Sequence, residues 1–589
     1  MNSVRYHLDI TDVAAHIISV TLSFKPTQTL HELTLPAWIP GSYMIRDFAR
    51  NIIAINASDT SGPLTLNQLD KQRWQLHCKG EEVSISYQLY AYDLSVRAAY
   101  IDDEIAVLNP ACLCLNVSAL ELLPHRLYIE KPKSAVTENW RLATALSRGK
   151  KTSLLGFGDY VAQNYQQLID SPLMLGHFEL HEFIIKGISH YLVVSGDNLA
   201  DLPRFSRDLQ CLCQQQVDVF DALPADLTSY WFLLWVTEDG YGGLEHLNST
   251  LLLCSRFDLP SPTVTKIDER YQNLLALCSH EYFHIWWIKR LKPASFQHYQ
   301  LSAEQYTSQL WLYEGFTSYF DDIALVRAGL IDTASYIKTL EKLISRVTRN
   351  PSDAAQSLTD SSFTAWTKFY KQDENAVNAV VSYYAKGALL ALCLDASLRQ
   401  YGSSLQQLVR ALWQQYLPTG TPDNALSLTL TELGFAELAA HAGRWLTDAA
   451  PLPLAEKLPA LGLTLAFRSM QHGDDLGGEA ENTGQLFIGA QGKTVQGLLQ
   501  LTHVYHGSAA HQAGLMVGDQ LLAIDGWKIT ASSLTPLLQR YSSGTEVKID
   551  FYRKDRLLQR LLTLKVSEQQ VAVLRITEPA LCDAWLTTA

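Results

Sequence analysis

The sequence predicts a multidomain α+β protein, and three observations lead there. The chain has 589 residues, about four units at roughly 150 residues per domain. Short runs of alternating polar and apolar residues fill the stretch from Val4 to about Asp170, whereas apolar residues at helical spacing dominate from Asp268 to about Trp445. Past the proline-rich stretch Pro451 to Pro459 the alternation returns and carries to Val566.

In chain order, residues 1–170 read as an N-terminal β domain. Runs such as Ala14–Phe24 and Glu82–Tyr90 alternate, the pattern of half-buried antiparallel strands in a sandwich or saddle. Residues 171–400 are expected to form a catalytic domain that opens with strands, including Tyr230–Val236 and Leu247–Cys254, with a helix near Phe205–Phe220 between them. It then turns helical, with Leu274, Leu277 and Cys278 on one face. Residues 401–458 continue as a helical lobe and linker, 459–570 form a small separate domain, and 571–589 a C-terminal tail.

Forty-seven Lys and Arg against sixty Asp and Glu leave a net charge of −13, with no long single-sign run. This excludes a phosphate-tracking nucleic-acid binder and favours neutral or cationic partners. The longest strongly apolar stretch, Tyr230–Val236, falls far short of the roughly 20 residues of a membrane span. The N-terminus lacks an apolar signal core. Nine scattered Cys, two pairs of them as Cys-x-Cys (Cys112/Cys114 and Cys211/Cys213), read as reduced, mostly buried thiols, so the expected residence is cytoplasmic.

His280-Glu281-Tyr282-Phe283-His284 carries the chemistry. Residues four apart share a helix face, so two imidazoles can converge on one ion while Glu281 reaches its water. This is the arrangement of zinc peptidases, and a catalytic Zn2+ needs a third protein ligand and one open position. Two glutamates compete. Glu304 follows His284 by 19 intervening residues but lies in what reads as a solvated helix start; Glu314 sits in the aromatic-rich run Leu310–Phe320, where a carboxylate without a partner is costly. Glu314 is the expected ligand, with Thr317 or Ser318 one turn on to support it.

His280–His284, Trp311–Tyr319 and Trp286–Pro293 together resemble the glycyl aminopeptidase family, relatives of the aminopeptidase N group with a thermolysin-like catalytic lobe. The 29 residues between His284 and Glu314 suit that branch. Asp239–His246 is similar to the family's substrate-binding strand, and Pro40–Arg50 to its β domain. Tyr383–Gly387 resembles the Tyr-x-Lys-Gly segment that bears a transition-state tyrosine. The resemblance implies one zinc held by His280, His284 and Glu314, Glu281 as general base, and Tyr384 as the phenol facing the oxyanion, with Tyr383 its rival. It implies that Glu245 binds the α-ammonium of a peptide with a free N-terminus, beside a substrate paired along Gly242 and Gly243. Those glycines also read as an ordinary hairpin turn, and Glu245 as an exposed strand carboxylate. His246 reads as local structure.

Val504–Gly526 resembles a PDZ domain, with Leu461–Phe467 as a candidate carboxylate loop and binding strand ahead of its core. Such a domain adds an extended C-terminal peptide to a sheet edge. This chain's own Leu586-Thr587-Thr588-Ala589 is a candidate occupant, and a domain that merely packs on the helical lobe is the alternative. The expected function is a zinc aminopeptidase for N-terminal Gly or Ala. The rivals are an endopeptidase on the same zinc site and a PDZ-bearing adaptor with an inactive peptidase lobe.

Overall fold

The computed structural model describes residues 3–471, 475–479 and 485–587. The chain divides into two compact units, Met1–Gln305 with Tyr416–Gly420, and Tyr306–Gln415 with Thr421–Ala589.

The first unit opens on an eight-stranded sheet. Val4–Asp12 lies antiparallel to Ile17–Phe24 and parallel to His125–Ile129, and Ile17–Phe24 pairs in turn with Val83–Tyr90. Strict alternation puts Val4, Tyr6 and Leu8 on the buried face with Val20, Leu22 and Phe24. Three buried phenols, Tyr6, Tyr87 and Tyr165, each donate to a main-chain carbonyl of the buried run Leu113–Leu115 at 2.7 Å. That is how an irregular segment holding Cys112 and Cys114 is buried without stranded polar groups.

The same hydrophobic core runs on past residue 170 through Val193, Trp231, Leu233 and Leu251. These belong to a five-stranded sheet in the order Phe178–Ile185, Ile188–Ser195, Ser229–Thr237, Ser249–Ser255, Tyr241–Glu245. Its three inner strands are parallel, and Tyr241–Glu245 closes the edge antiparallel to Ser249–Ser255. The helices Leu202–Phe220 and Glu269–Phe283 pack together, each capped by an Asp side chain accepting a first-turn N–H. The strand Ser229–Thr237, apolar from Tyr230 to Val236, is buried along that whole stretch, as an inner parallel strand covered on both faces must be.

In the second unit, a π-helical turn at Trp311–Gly315 leads into the helix Phe316–Arg327, which packs on the almost entirely buried helix Ala385–Gln400. A separate small sheet, with strands Ala490–Val495, Leu498–Val504, Gln520–Ile524, Glu546–Arg553 and Arg556–Thr563, encloses its own core from Leu486 to Leu564. Two expectations are corrected here. Leu463–Ser469 is not a strand of that sheet; it pairs antiparallel with Gln569–Ile576, and this ribbon lies on the helix Thr333–Thr348. There Ala572 and Leu574 N–H groups donate to Ser345 Oγ and Glu341 Oε1, both at 2.8 Å. Nor is the C-terminus a loose tail. Pro579–Thr587 is a helix whose Trp585 and Leu586 are buried, and Trp585 Nε1 donates to the Tyr319 hydroxyl. Leu586 is therefore not free to enter a peptide groove, and residues 588 and 589 lie outside the described ones.

Eight of the nine cysteines are buried, with Cys211 exposed. Among the described residues no helix is long and apolar enough to cross a membrane.

Candidate active site

The helix Glu269–Phe283 carries His280 on its last turn, and His284 forms its C-terminal cap. Their rings lie 4.7 Å apart, centroid to centroid, and nearly perpendicular. His284 Nδ1 sits 3.0 Å from the Trp287 carbonyl, a bond that fixes the tautomer and presents Nε2 for ligation. Below them the helix is anchored in the first unit's core. The Tyr282 hydroxyl lies 2.9 Å from His190 Nε2, and Gln216 donates to Ser279 at 2.8 Å. Burial, opposed only by the Ile188 carbonyl, pulls His190 down to about 4, so its ring stays neutral and its Nε2 accepts a hydrogen bond from the phenol O–H.

The edge strand supplies the facing wall. Gly242 and Gly243 lie within Tyr241–Glu245, not in a hairpin turn. A β-carbon on Gly243 would fall 2.2 Å from Glu281 Oε1, so any side chain there displaces that carboxylate. Arg97 holds the strand from outside, donating to the Gly243 carbonyl at 3.0 Å. Glu245 is 5% exposed, not the surface carboxylate of the bland expectation, and its Oε1 has no hydrogen-bond partner among the described residues. Glu245, Glu281 and His284 each offer a donor atom within 4.8 Å of the others. Gly41, held at φ +95°, lies against the far side of the Glu245 carboxylate. His246 plays the local role expected of it, its Nδ1 lying 3.0 Å from Asp170 Oδ1. Lys289 and the Leu247 N–H complete the Asp170 shell at 2.7 and 2.9 Å. Burial works to raise the Asp170 carboxyl, but Lys289 and His246 outweigh it and hold it well below the usual carboxylate range.

In the second unit Glu314 is 2% exposed within the π-helical turn, a wide turn of the kind found often at functional sites. Gly315 next to it meets Gly387 backbone to backbone: a β-carbon on Gly315 would fall 2.5 Å from Gly387 Cα. Thr317 is not available as a donor to a carboxylate, because its hydroxyl donates to the Tyr313 carbonyl at 2.5 Å. Tyr384 stands at the N-terminus of the helix Ala385–Gln400, stacked on Tyr383 at 4.8 Å. Tyr383 is fully buried while Tyr384 keeps partial exposure. Burial first, then the Glu314 charge and neighbouring phenols, push Tyr384 well above the usual phenol range. Lys386 of the same segment is structural. It is fully buried, paired with Asp353 at 2.6 Å and donating to the Asp353 and Ala450 carbonyls. Glu304 lies outside any helix, contrary to its expected helix start, and is partly exposed.

Sequence reasoning missed Gly41, Arg97, Asp170 and His190. Only Gly41 left a signal, a Pro-Gly step inside the Pro40–Arg50 segment.

A helix end that carries His280 and His284, with Glu281 close to the buried carboxylate Glu245 of the sheet edge, is an arrangement suited to a metallo-aminopeptidase. The chain matches the model of the peptidase M61 N-terminal domain over residues 5–177 and that of the M61 glycyl aminopeptidase over residues 273–390. It is 40% identical to an aminopeptidase N family protein from Idiomarina loihiensis, covering 99% of this chain and 100% of that one with a TM-score of 0.96. The chain belongs to the M61 glycyl aminopeptidase family. An M1 zinc metallopeptidase from Deinococcus radiodurans is a remote likeness, 12% identical with a TM-score of 0.48 over 77% of this chain and 95% of that one. So is Legionella pneumophila aminopeptidase A in complex with aspartic acid, at 14% and 0.49 over 76% of this chain and 49% of that one. No curated protein sequence matches the chain.

Proposed function

We propose that this chain is a zinc aminopeptidase that removes small N-terminal residues, Gly or Ala, from peptides with a free N-terminus. The observation that carries the reading is Glu245. A buried carboxylate with an oxygen unpartnered is costly unless a cation completes it, and the α-ammonium of a substrate is that cation. Its position beside Glu281 and His284 supports measuring the scissile bond from the chain's first residue.

The donor set fits zinc. Two imidazoles at i and i+4, one with its tautomer fixed by a carbonyl, and a buried carboxylate on Glu314 are the ligand types of a three-ligand catalytic site. When bound, zinc supplies Lewis acidity to the scissile carbonyl and acidifies water. The chain's own residues do the rest. Glu281 accepts the attacking water's proton and returns it to the leaving amine. Tyr384, kept protonated by its surroundings, donates its O–H to the oxyanion. Gly243 lets the substrate backbone approach the edge strand where a side chain would collide with Glu281. The thermolysin-like reading of the catalytic region, the division of the chain into four domain pieces and a cytoplasmic residence belong to the same proposal. So does a PDZ-like character for the sheet 490–563, whose occupant would be a peptide other than this chain's C-terminus.

The test is hydrolysis of a glycyl reporter and its N-acetylated twin, with and without chelator. The proposal expects chelator-sensitive cleavage of the free amine and rejection of the acetylated twin. Equal cleavage of both points to an endopeptidase on the same residues, and no cleavage of either to the adaptor reading.

A further inference from the structure

The first unit holds a second cleft, of 750 Å³, that the peptidase chemistry does not use. Its walls come from the 163–170 segment, the Leu247–Asn248 step, the 289–302 stretch and Thr34–Pro40, and none of His280, Glu281, His284 or Glu245 lines it. The volume is that of a small-molecule site.

Lys292 faces this cleft. It is only 9% exposed, yet no carboxylate pairs with it among the described residues. Asp170, the acid whose charge acts on it, already accepts from Lys289, His246 and the Leu247 N–H. The ammonium rests over the Tyr299 ring, 4.9 Å from its centroid, which attracts a cation without neutralising it. Burial and the neighbouring Lys289 pull Lys292 down to about 8, against the weaker pull of Asp170, so the charge is held at a cost. The other titratable groups lining the cleft are Glu121, Asp226, Tyr165, His298 and Tyr299. Asp226 is bonded to Arg290, and Tyr165 donates to a main-chain carbonyl. Burial, with the charges of Asp170 and Glu245, keeps the Tyr299 phenol protonated and able to donate. Neutral amides, among them Asn164, Asn248 and Gln300, make up much of the remaining polar wall.

We propose that this cleft is a binding site for a small molecule bearing one carboxylate, held by Lys292 and Tyr299, with the amide side chains facing a peptide-like body. One uncompensated cation matches a monoanion and not a dianion such as phosphate. A peptide bond offers both a donor and an acceptor to side-chain amides. An acylated amino acid or a short peptide has this chemistry.

The experiment uses the full-length metal-loaded protein at pH 8. Lysines are labelled with a neutral acylating ester, and Lys292 is followed by peptide mass mapping against the exposed Lys151 as internal control. The probes are sodium acetate, N-acetylglycine and sodium phosphate. The proposal expects N-acetylglycine, and acetate at higher concentration, to slow Lys292 labelling roughly tenfold without changing Lys151. It expects N-acetylglycine to raise the Tm of wild type and of Lys292→Arg, but not of Lys292→Met. If neither carboxylate protects Lys292, the proposal is wrong; if phosphate alone protects, the carboxylate assignment is wrong. A Tm rise that persists in Lys292→Met also overturns it. Should Lys292→Met not fold, the labelling of wild type and the response of Lys292→Arg still decide.

Discussion

Gly41 and Glu245, two hundred residues apart in sequence, touch so closely that a β-carbon on Gly41 would fall 2.5 Å from Glu245 Oε1 and 2.6 Å from Oε2. The Pro40–Arg50 segment thus backs the carboxylate that we propose receives the substrate's amine. Gly41 also stands at φ +95°, a conformation that side chains resist. Gly41→Ala is expected to displace the Glu245 carboxylate and raise KM for free-amine substrates more than tenfold, with zinc content unchanged. Steady-state kinetics and metal analysis on one preparation check it.

Glu245→Gln removes the charge without the volume. A charge-assisted hydrogen bond of this kind contributes about 1.5–3 kcal/mol, so kcat/KM on a glycyl substrate should fall roughly ten- to several-hundred-fold. Metal content should stay at one zinc per chain. Unchanged kinetics would remove the main support for counting from the N-terminus.

Gly243→Ala places a methyl group 2.2 Å from Glu281 Oε1. The carboxylate has to swing off the path between water and leaving group. Turnover is expected to drop by about 10²–10⁴, the usual contribution of a general base, with secondary structure and zinc retained. Circular dichroism and metal analysis separate this from misfolding.

The ligand assignment turns on Glu314 against Glu304. Glu314→Gln should lose zinc and activity, because it removes a buried carboxylate from the donor set; Glu304→Gln, outside any helix and partly exposed, should keep both. The reverse result would reassign the third ligand.

His190 gives the pH dependence. Its folded-state pKa of about 4 lies below the ordinary 6.5, so the unfolded chain binds the extra proton between these values and the folded one does not. Its contribution is full above pH 6.5 and is lost as pH falls towards 4, a difference of about 3 kcal/mol. Metal-free wild type should therefore lose Tm steeply across this window, and metal-free His190→Gln less so. Parallel curves for the two proteins would assign the acid sensitivity elsewhere.

What could be read from the sequence follows physical locality. His280, Glu281 and His284 were legible because one helical turn brings them together, and Glu314 because an acid among Trp311, Leu312 and Tyr313 has nowhere to go but into a buried site. Gly243 was legible as a close approach, though not what approaches it. The wall at Gly41 was not, since the contact with Glu245 is made by tertiary packing alone. The ribbon of Leu463–Ser469 with Gln569–Ile576 was misread for the same reason: an alternating strand does not announce its partner a hundred residues later. The C-terminal helix was not read from residues 571–589, because what anchors it is tertiary: the Trp585 indole N–H donates to Tyr319 while the Tyr319 hydroxyl donates to Asp395 at 2.7 Å.

The contact of Gly315 with Gly387 bears on how such an enzyme can change over generations. Each glycine's missing side chain is the space the other's backbone fills, 2.5 Å one way and 2.8 Å the other. No order of single substitutions passes through a tolerated intermediate, so the pair is an inherited unit that drift cannot enter. Gly443, inside the helix Ala436–Thr447 with open space around its α-carbon, is the opposite case. A lineage can exchange it for alanine at a gain in helix stability. Divergence within this fold is thus expected to accumulate around the segment next to Glu314 while leaving those two positions fixed.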